Sequence, residues 1–187
     1  MTLIELAVSI FDRAESQDIE HMAVGAIAAG TFGIPRATKD IDLLVSLDIN
    51  HGIHKLIPAL EPIIEFEPQA QFDTITWGKR YVGTSRSGPP FKVELFEMFD
   101  DEFVRTEFSR RARTYVPLLK RKVWLPTAED VIVQKIRWGR SKDLDDARDV
   151  LAVQGPETLD MAYIENWCDT HGTRERLNAI LASLPPL

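Results

Sequence analysis

The stretch GIPRATKDIDLLVSL, residues 33–47, decides how this chain is read. Ile41, Leu43, Leu44 and Val45 form a run that suits a buried strand, yet Asp40 and Asp42 stand at its head. Side chains of a strand alternate faces, so Asp40, Asp42 and Leu44 point one way and Ile41, Leu43 and Val45 the other. The two carboxylates are then roughly 6.5 Å apart along the strand. Like charges that close repel unless something cationic lies between them. Alone, the pair also fits a solvated strand end. As hard oxygen ligands it suits Mg²⁺, which takes one or two carboxylates and keeps its other positions for water and phosphate.

A second apolar strand, FKVELFEMF, carries acids of its own. Glu94 shares a face with Lys92 and Phe96, while Val93, Leu95 and Glu97 share the other. An acid between Val93 and Leu95 is costly in a core without a partner. If this strand lies beside the first, Glu94 becomes a third carboxylate near Asp40 and Asp42, with Glu97 its nearest rival. If not, Glu94 lines an exposed sheet face. Three acids around divalent metal suit phosphoryl or nucleotidyl transfer.

Upstream, Gly25 ends a short strand, HMAVG, and opens a helix of small residues, AIAAGTFGI. A helix start after glycine offers free N–H groups to a phosphate. Arg36, Thr38 and Lys39 lie just ahead of the carboxylates and could face the same anion. On a helical wheel of residues 127–139, Ala128, Val131, Ile132, Ile136 and Trp138 form an apolar arc with Lys135 in its middle. Such a lysine either snorkels to solvent or meets an anion. Asp143 and Asp146 read as an N-cap and a first-turn charge of the next helix. Arg140 and Lys142 are candidates for ligand or nucleic-acid contact and equally fit surface charges.

Outward from these segments, residues 2–16, 50–60 and 100–114 have helical spacing, and Thr127 with Asp130 forms a capping signal. The segment from Ile75 to Phe99 reads as strands joined by turns, and YVPLLKRKVWLPT as an extended connector. Helices are expected over about 127–138, 143–153, 156–170 and 173–183. The expected class is α+β: a small mixed sheet with flanking helices over 1–120, then a C-terminal helical domain over 121–187, with a cleft between them.

The 187 residues carry 44% hydrophobic and 27% charged side chains, ordinary for a globular protein. A net charge of −7 argues against a protein that coats nucleic acid by bulk electrostatics. Between Lys79 and Lys122, however, 11 Lys+Arg face 6 Asp+Glu, a balance of +5. That suits either a local polyanion surface or a solvated helix face. The longest weakly polar run, residues 22–35, is too short to span a bilayer, which needs about 20 apolar residues. The acidic N-terminus does not look like a signal peptide. The single cysteine, Cys168, excludes an internal disulfide and reads as a core residue; the expected location is cytoplasmic.

Together, Gly25-Ala26, a spacer of 13 residues, DIDL, and a later strand acid resemble the nucleotidyltransferase (polymerase β-like) superfamily. The stretches VGAIAAGTFGIPRATKDIDLLV and LPTAEDVIVQKIRWGRSKDLDDARDVL look like its small prokaryotic branch. That branch includes abortive-infection toxin-type and aminoglycoside nucleotidyltransferases. The resemblance implies that Asp40, Asp42 and Glu94 bind metal, two Mg²⁺ ions being expected, and that Glu94 helps activate an acceptor hydroxyl. It implies an NTP substrate contacted by Gly25, Ala26 and Lys135, with Arg36, Thr38 and Lys39 beside it. Ala26 lacks the hydroxyl of the commoner Ser, and Glu94 is one methylene longer than the commoner Asp. The implied activity is transfer of NMP to a hydroxyl of a small molecule, tRNA or protein, releasing pyrophosphate. The alternatives are an inactive binding or regulatory protein with a protein partner, and the toxin of a toxin–antitoxin pair.

Overall fold

In the computed structural model, residues 1–73 and 78–184 are described. The chain opens with α1 (Leu3–Ser16), whose start is fixed by a capping box. Thr2 Oγ1 accepts from the Glu5 N–H, and Glu5 accepts in return from the Thr2 N–H. Leu6, Ile10 and Phe11 are fully buried, each contributing about 1.5–3 kcal/mol of apolar burial. After β1 (His21–Ala23) come α2 (Gly25–Phe32), β2 (Asp40–Val45), α3 (Ile53–Leu60), β3 (Ile64–Phe66), β4 (Gln71–Phe72), β5 (Lys79–Ser85) and β6 (Lys92–Glu97). Residues 75–77 of the expected strand segment lie outside the described part.

These strands form one mixed sheet in the order β1-β2-β6-β5-β3, with β4 on β5. The β2–β6 pair is parallel, and its neighbours are antiparallel. The register sets Asp42 opposite Glu94, and Leu44 opposite Phe96. Ile41, Leu43, Val93 and Leu95 point to the other face and are fully buried there. Glu97 shares that opposite parity and is held by Lys79 Nζ (3.1 Å) and the Tyr81 hydroxyl (2.7 Å), so it is not a rival to Glu94.

Beyond the sheet, α4 (Glu102–Arg110) begins at Asp101, whose side chain accepts from the Val104 N–H. The expected extended connector is a hairpin instead: β7 (Ala112–Val116) pairs antiparallel with β8 (Arg121–Leu125). The boundary expected at residue 120 therefore runs through a hydrogen-bonded hairpin. Three of the seven arginines of the basic segment are matched by acids of the N-terminal region. Arg113 and Arg121 pair with Glu15, Arg121 also with Asp12, and Arg111 with Glu20. These pairs offset part of the +5 balance of that segment.

Among the described residues four helices follow: α5 (Ala128–Trp138), α6 (Ser141–Gln154), α7 (Met161–Thr170) and α8 (Arg174–Ala182). The expected Thr127–Asp130 capping box starts α5. One hydrophobic core runs from α1 through the sheet into these helices, including Ile41, Leu95, Ile132, Val150 and the buried Cys168. Among the described residues no helix is long and apolar enough to cross a membrane.

Candidate active site

The site grows from the head of β2. Thr38 Oγ1 accepts from the Asp40 N–H (3.1 Å), which fixes the chain as it enters the strand. The Val24 N–H donates to the Asp42 carbonyl (2.9 Å), carrying the β1–β2 ladder up to the start of α2. Gly25 opens α2 at φ +61°, and a Cβ there would lie 2.0 Å from Asp42 Oδ2. Only glycine satisfies both the left-handed backbone and that close approach. Val24, the N-cap, makes no side-chain cap hydrogen bond. The first N–H groups of α2 thus lack a capping side chain and stand beside the Asp42 carboxylate.

Asp42 is electrostatically uncomfortable. Its Oδ1 is buried and has no hydrogen-bond partner among the described residues. Its pKa is pushed up to about 7, first by burial and then by the charges of Glu94 and Asp40. Lys135 and Lys92 act in the opposite direction without offsetting this. Glu94 ion-pairs with Lys92 Nζ (3.0 Å) and Arg80 Nη1 (3.1 Å). Neither contact is aligned as a hydrogen bond, and Glu94 Oε1 has no such bond. Among the described residues, no three acid, His or Cys side chains gather closely enough to hold a metal ion as they stand.

Lys135 lines the same pocket as Gly25 and Asp42. It does not snorkel: it is 7% exposed. It meets anions, but the protein's own. Nζ donates to Asp146 Oδ2 (2.7 Å) and Asp143 Oδ1 (3.1 Å). The N-cap reading is therefore corrected, while Asp143 does stand in the first turn of the next helix. Arg140 is the N-cap residue of α6 and no side chain caps that helix. Asp143 and Asp146 are buried because they neutralise Lys135, with Arg140 on Asp143 and Arg36 on Asp146 completing the cluster. Arg36 binds Asp146 in a fork, Nε at 2.8 Å and Nη2 at 3.1 Å. Burial works to raise the Asp146 pKa, but the Arg36 and Lys135 hydrogen bonds outweigh it and the net shift is downward.

The structure thus brings Gly25, Asp42 and Lys135 to one pocket, with Glu94 beside Asp42 in the ladder. It sets Ala26, Arg36 and Thr38 apart: they line a different cavity, closed by Val116, Pro117 and Leu118 of the hairpin. Lys39 is exposed. Sequence reasoning missed Glu107, Gln134 and Trp138 as further walls of the Asp42 pocket. Glu107 was legible in principle, since it falls with Phe103, Val104 and Phe108 on the buried face of α4.

No family model matches this sequence, and no curated protein matches it. Solved structures do. The antibiotic-resistance factor ANT(2'')-Ia, in complex with adenylyl-2''-tobramycin, is 14% identical with a TM-score of 0.64, over 94% of this chain and 99% of that one. Its solution structure gives 13% identity and a TM-score of 0.61, over 96% and 95% of the two chains. An antigenic nucleotidyltransferase-like protein from Paracoccidioides brasiliensis is 20% identical with a TM-score of 0.52, over 100% and 96%. The likeness runs over nearly the whole of each chain, sheet and helical bundle together: the chain has the nucleotidyltransferase fold.

Proposed function

We propose that this chain is a Mg²⁺-dependent nucleotidyltransferase that moves NMP from an NTP to the hydroxyl of an acceptor and releases pyrophosphate. The observation that carries the reading is Asp42: a buried carboxylate with an unpartnered oxygen, crowded by two other acids and pressed against the glycine that opens α2. A divalent cation relieves that crowding, and the donors on offer are the hard oxygens Mg²⁺ takes. Asp40 and Asp42 would hold it. Glu94, now paired with Lys92 and Arg80, would be the third carboxylate.

Bound metal supplies positive charge that neutralises the phosphates and makes a nearby hydroxyl more acidic. The chain's own residues do the rest. Gly25 lets the phosphates approach the backbone, and the first N–H groups of α2 face them. The acceptor oxygen bonds to the α-phosphorus while the bond to the pyrophosphate oxygen breaks. Glu94 takes the hydroxyl proton. Lys92 and Arg80, no longer engaged by Glu94, then offer charge to the departing pyrophosphate. Lys135 holds the pocket wall and sets the local positive potential from within its acid cluster.

One observation favours a second reading, nucleotide binding without transfer: Glu94 is engaged by two cations and the acids are not gathered. A toxin acting on tRNA or on a protein uses the same site and differs only in its acceptor. Incubation with each labelled NTP, Mg²⁺ and cell extract separates these readings. A labelled product made by the wild type and lost in Asp42→Asn supports transfer, and its chemical nature identifies the acceptor. Equal labelling by both proteins overturns the catalytic reading. No product, with Mg·NTP raising Tm in the wild type alone, favours the binding role.

A further inference from the structure

Next to Asp42 the pocket changes character. Leu44, Phe96, Phe99, Val104 and Trp138 wall a chamber that is mostly hydrocarbon. Into it project polar groups that the protein leaves unsatisfied. Glu107 is 3% exposed and has no hydrogen bond or ion pair among the described residues. Gln134 Oε1 and Trp138 Nε1 are buried and equally unpartnered. Each such group costs about 1–3 kcal/mol, and a carboxylate more. A chain that needed only to fold would be more stable with leucine at 107.

No protein cation resolves Glu107. Arg137, the cation acting on it, is held in a fork by Asp101 at 2.6 and 3.2 Å. Burial and the charge of Asp130 accordingly push the Glu107 carboxyl well above the usual carboxylate range. An apolar chamber with Glu107 unmatched at its wall, beside Asp42, suits an ammonium on a compact hydrophobic body. The acid neutralises the charge, and the aromatic faces attract it further. A sugar-like polyol suits it poorly, because most of its hydroxyls would face hydrocarbon.

We propose that this chamber receives the acceptor, a hydroxyl-bearing amine with a compact aromatic or aliphatic body. Its ammonium lies on Glu107, its ring against Phe96 and Trp138, and its hydroxyl turns toward Asp42. The assignment as acceptor rests on the transferase reading above; the amine preference of the chamber does not.

The test uses 2-amino-1-phenylethanol and its neutral counterpart 1-phenylethane-1,2-diol, titrated into the full chain without metal or nucleotide. The readout is the indole N–H resonance of Trp138, identified by its absence in Trp138→Phe. The wild type should bind the amine at least about tenfold more tightly than the diol, as expected for a desolvated charge pair. Glu107→Gln should bring the two probes to equal affinity while Gln134→Leu keeps the preference. Glu107→Leu, which matches the apolar wall, repeats the loss with a side chain the fold tolerates. Equal affinities in the wild type, or a preference that survives Glu107→Gln and Glu107→Leu, overturns the proposal. So does a Glu107-dependent shift of Trp138 by an NTP alone, which would make the chamber a nucleobase pocket. Failure of the transferase reading appears separately, as labelling unaffected by Asp42→Asn.

Discussion

Two groups of buried acids lie near Lys135, and they are treated differently. Around Lys135, every carboxylate is matched: Asp143 by Lys135 and Arg140, Asp146 by Lys135 and Arg36. Around Asp42 and Glu107, oxygens are left without partners. The first arrangement locks α5 to α6 and to the Arg36 loop. It resembles a structural charge cluster, in which removing one member strands the others. The second holds unfavourable charge in a concave site, the kind of perturbed group that marks function. Burial of an acid therefore says little by itself; the presence or absence of a protein partner separates framework from site.

The comparison is broken most sharply by chemistry. Asp42→Asn should remove several kcal/mol of transition-state stabilisation, more than about 10²-fold in labelling rate, while leaving urea stability unchanged or raised. A stability loss without a rate loss would place Asp42 with the framework. Conversely, Lys135→Ala should cost about 3–5 kcal/mol in urea denaturation, because it leaves Asp143 and Asp146 buried and unmatched. Gly25→Ala should cost at least about 1 kcal/mol from its positive φ, and more from the contact with Asp42, and should weaken Mg·NTP binding in calorimetry.

The two groups should also respond to pH with opposite signs. In metal-free buffer Asp42 titrates near 7 in the folded chain against 3.8 as its ordinary value. Between those values the folded state holds more protons than the unfolded one, so stability falls as pH rises from about 4 to 7. Wild type and Asp42→Asn should therefore match at pH 4 and diverge toward pH 7. The Asp146 pKa is lowered, so its contribution is present above its ordinary value and is lost as pH falls through the folded one. The smallest effect is expected for Arg36→Lys, about 0.5–1 kcal/mol, since it loses a fork on a half-exposed arginine.

Much of the site was legible in residues 33–47 and 92–97. A period of two aligns Asp40 with Asp42 and separates Glu94 from Glu97. What periodicity cannot supply is register. Asp42 faces Glu94 because β6 returns parallel to β2 after α3, β3, β4 and β5, a tertiary choice. The helical wheel exposed Lys135 but not its partners, because Asp143 and Asp146 lie where helix starts ordinarily carry acids. Extended to α6, the same wheel sets both on the buried side with Ala147 and Val150. Glu107 was masked by its basic neighbours in RTEFSRRAR. Arg111 and Arg113 looked like a free surface because the acids that match them, Glu20 and Glu15, lie about 90–100 positions earlier. The hairpin at 112–125 was missed because its strands alternate weakly and carry charge on both faces.

The most direct test of the distinction between the two acid groups is calorimetric titration of an equimolar mixture of the four Mg·NTPs. It is run into the wild type, Asp42→Asn and Arg36→Lys, each shown to be folded. Binding to the wild type and Arg36→Lys, lost in Asp42→Asn, is the predicted result. Binding to Asp42→Asn with wild-type affinity would contradict it.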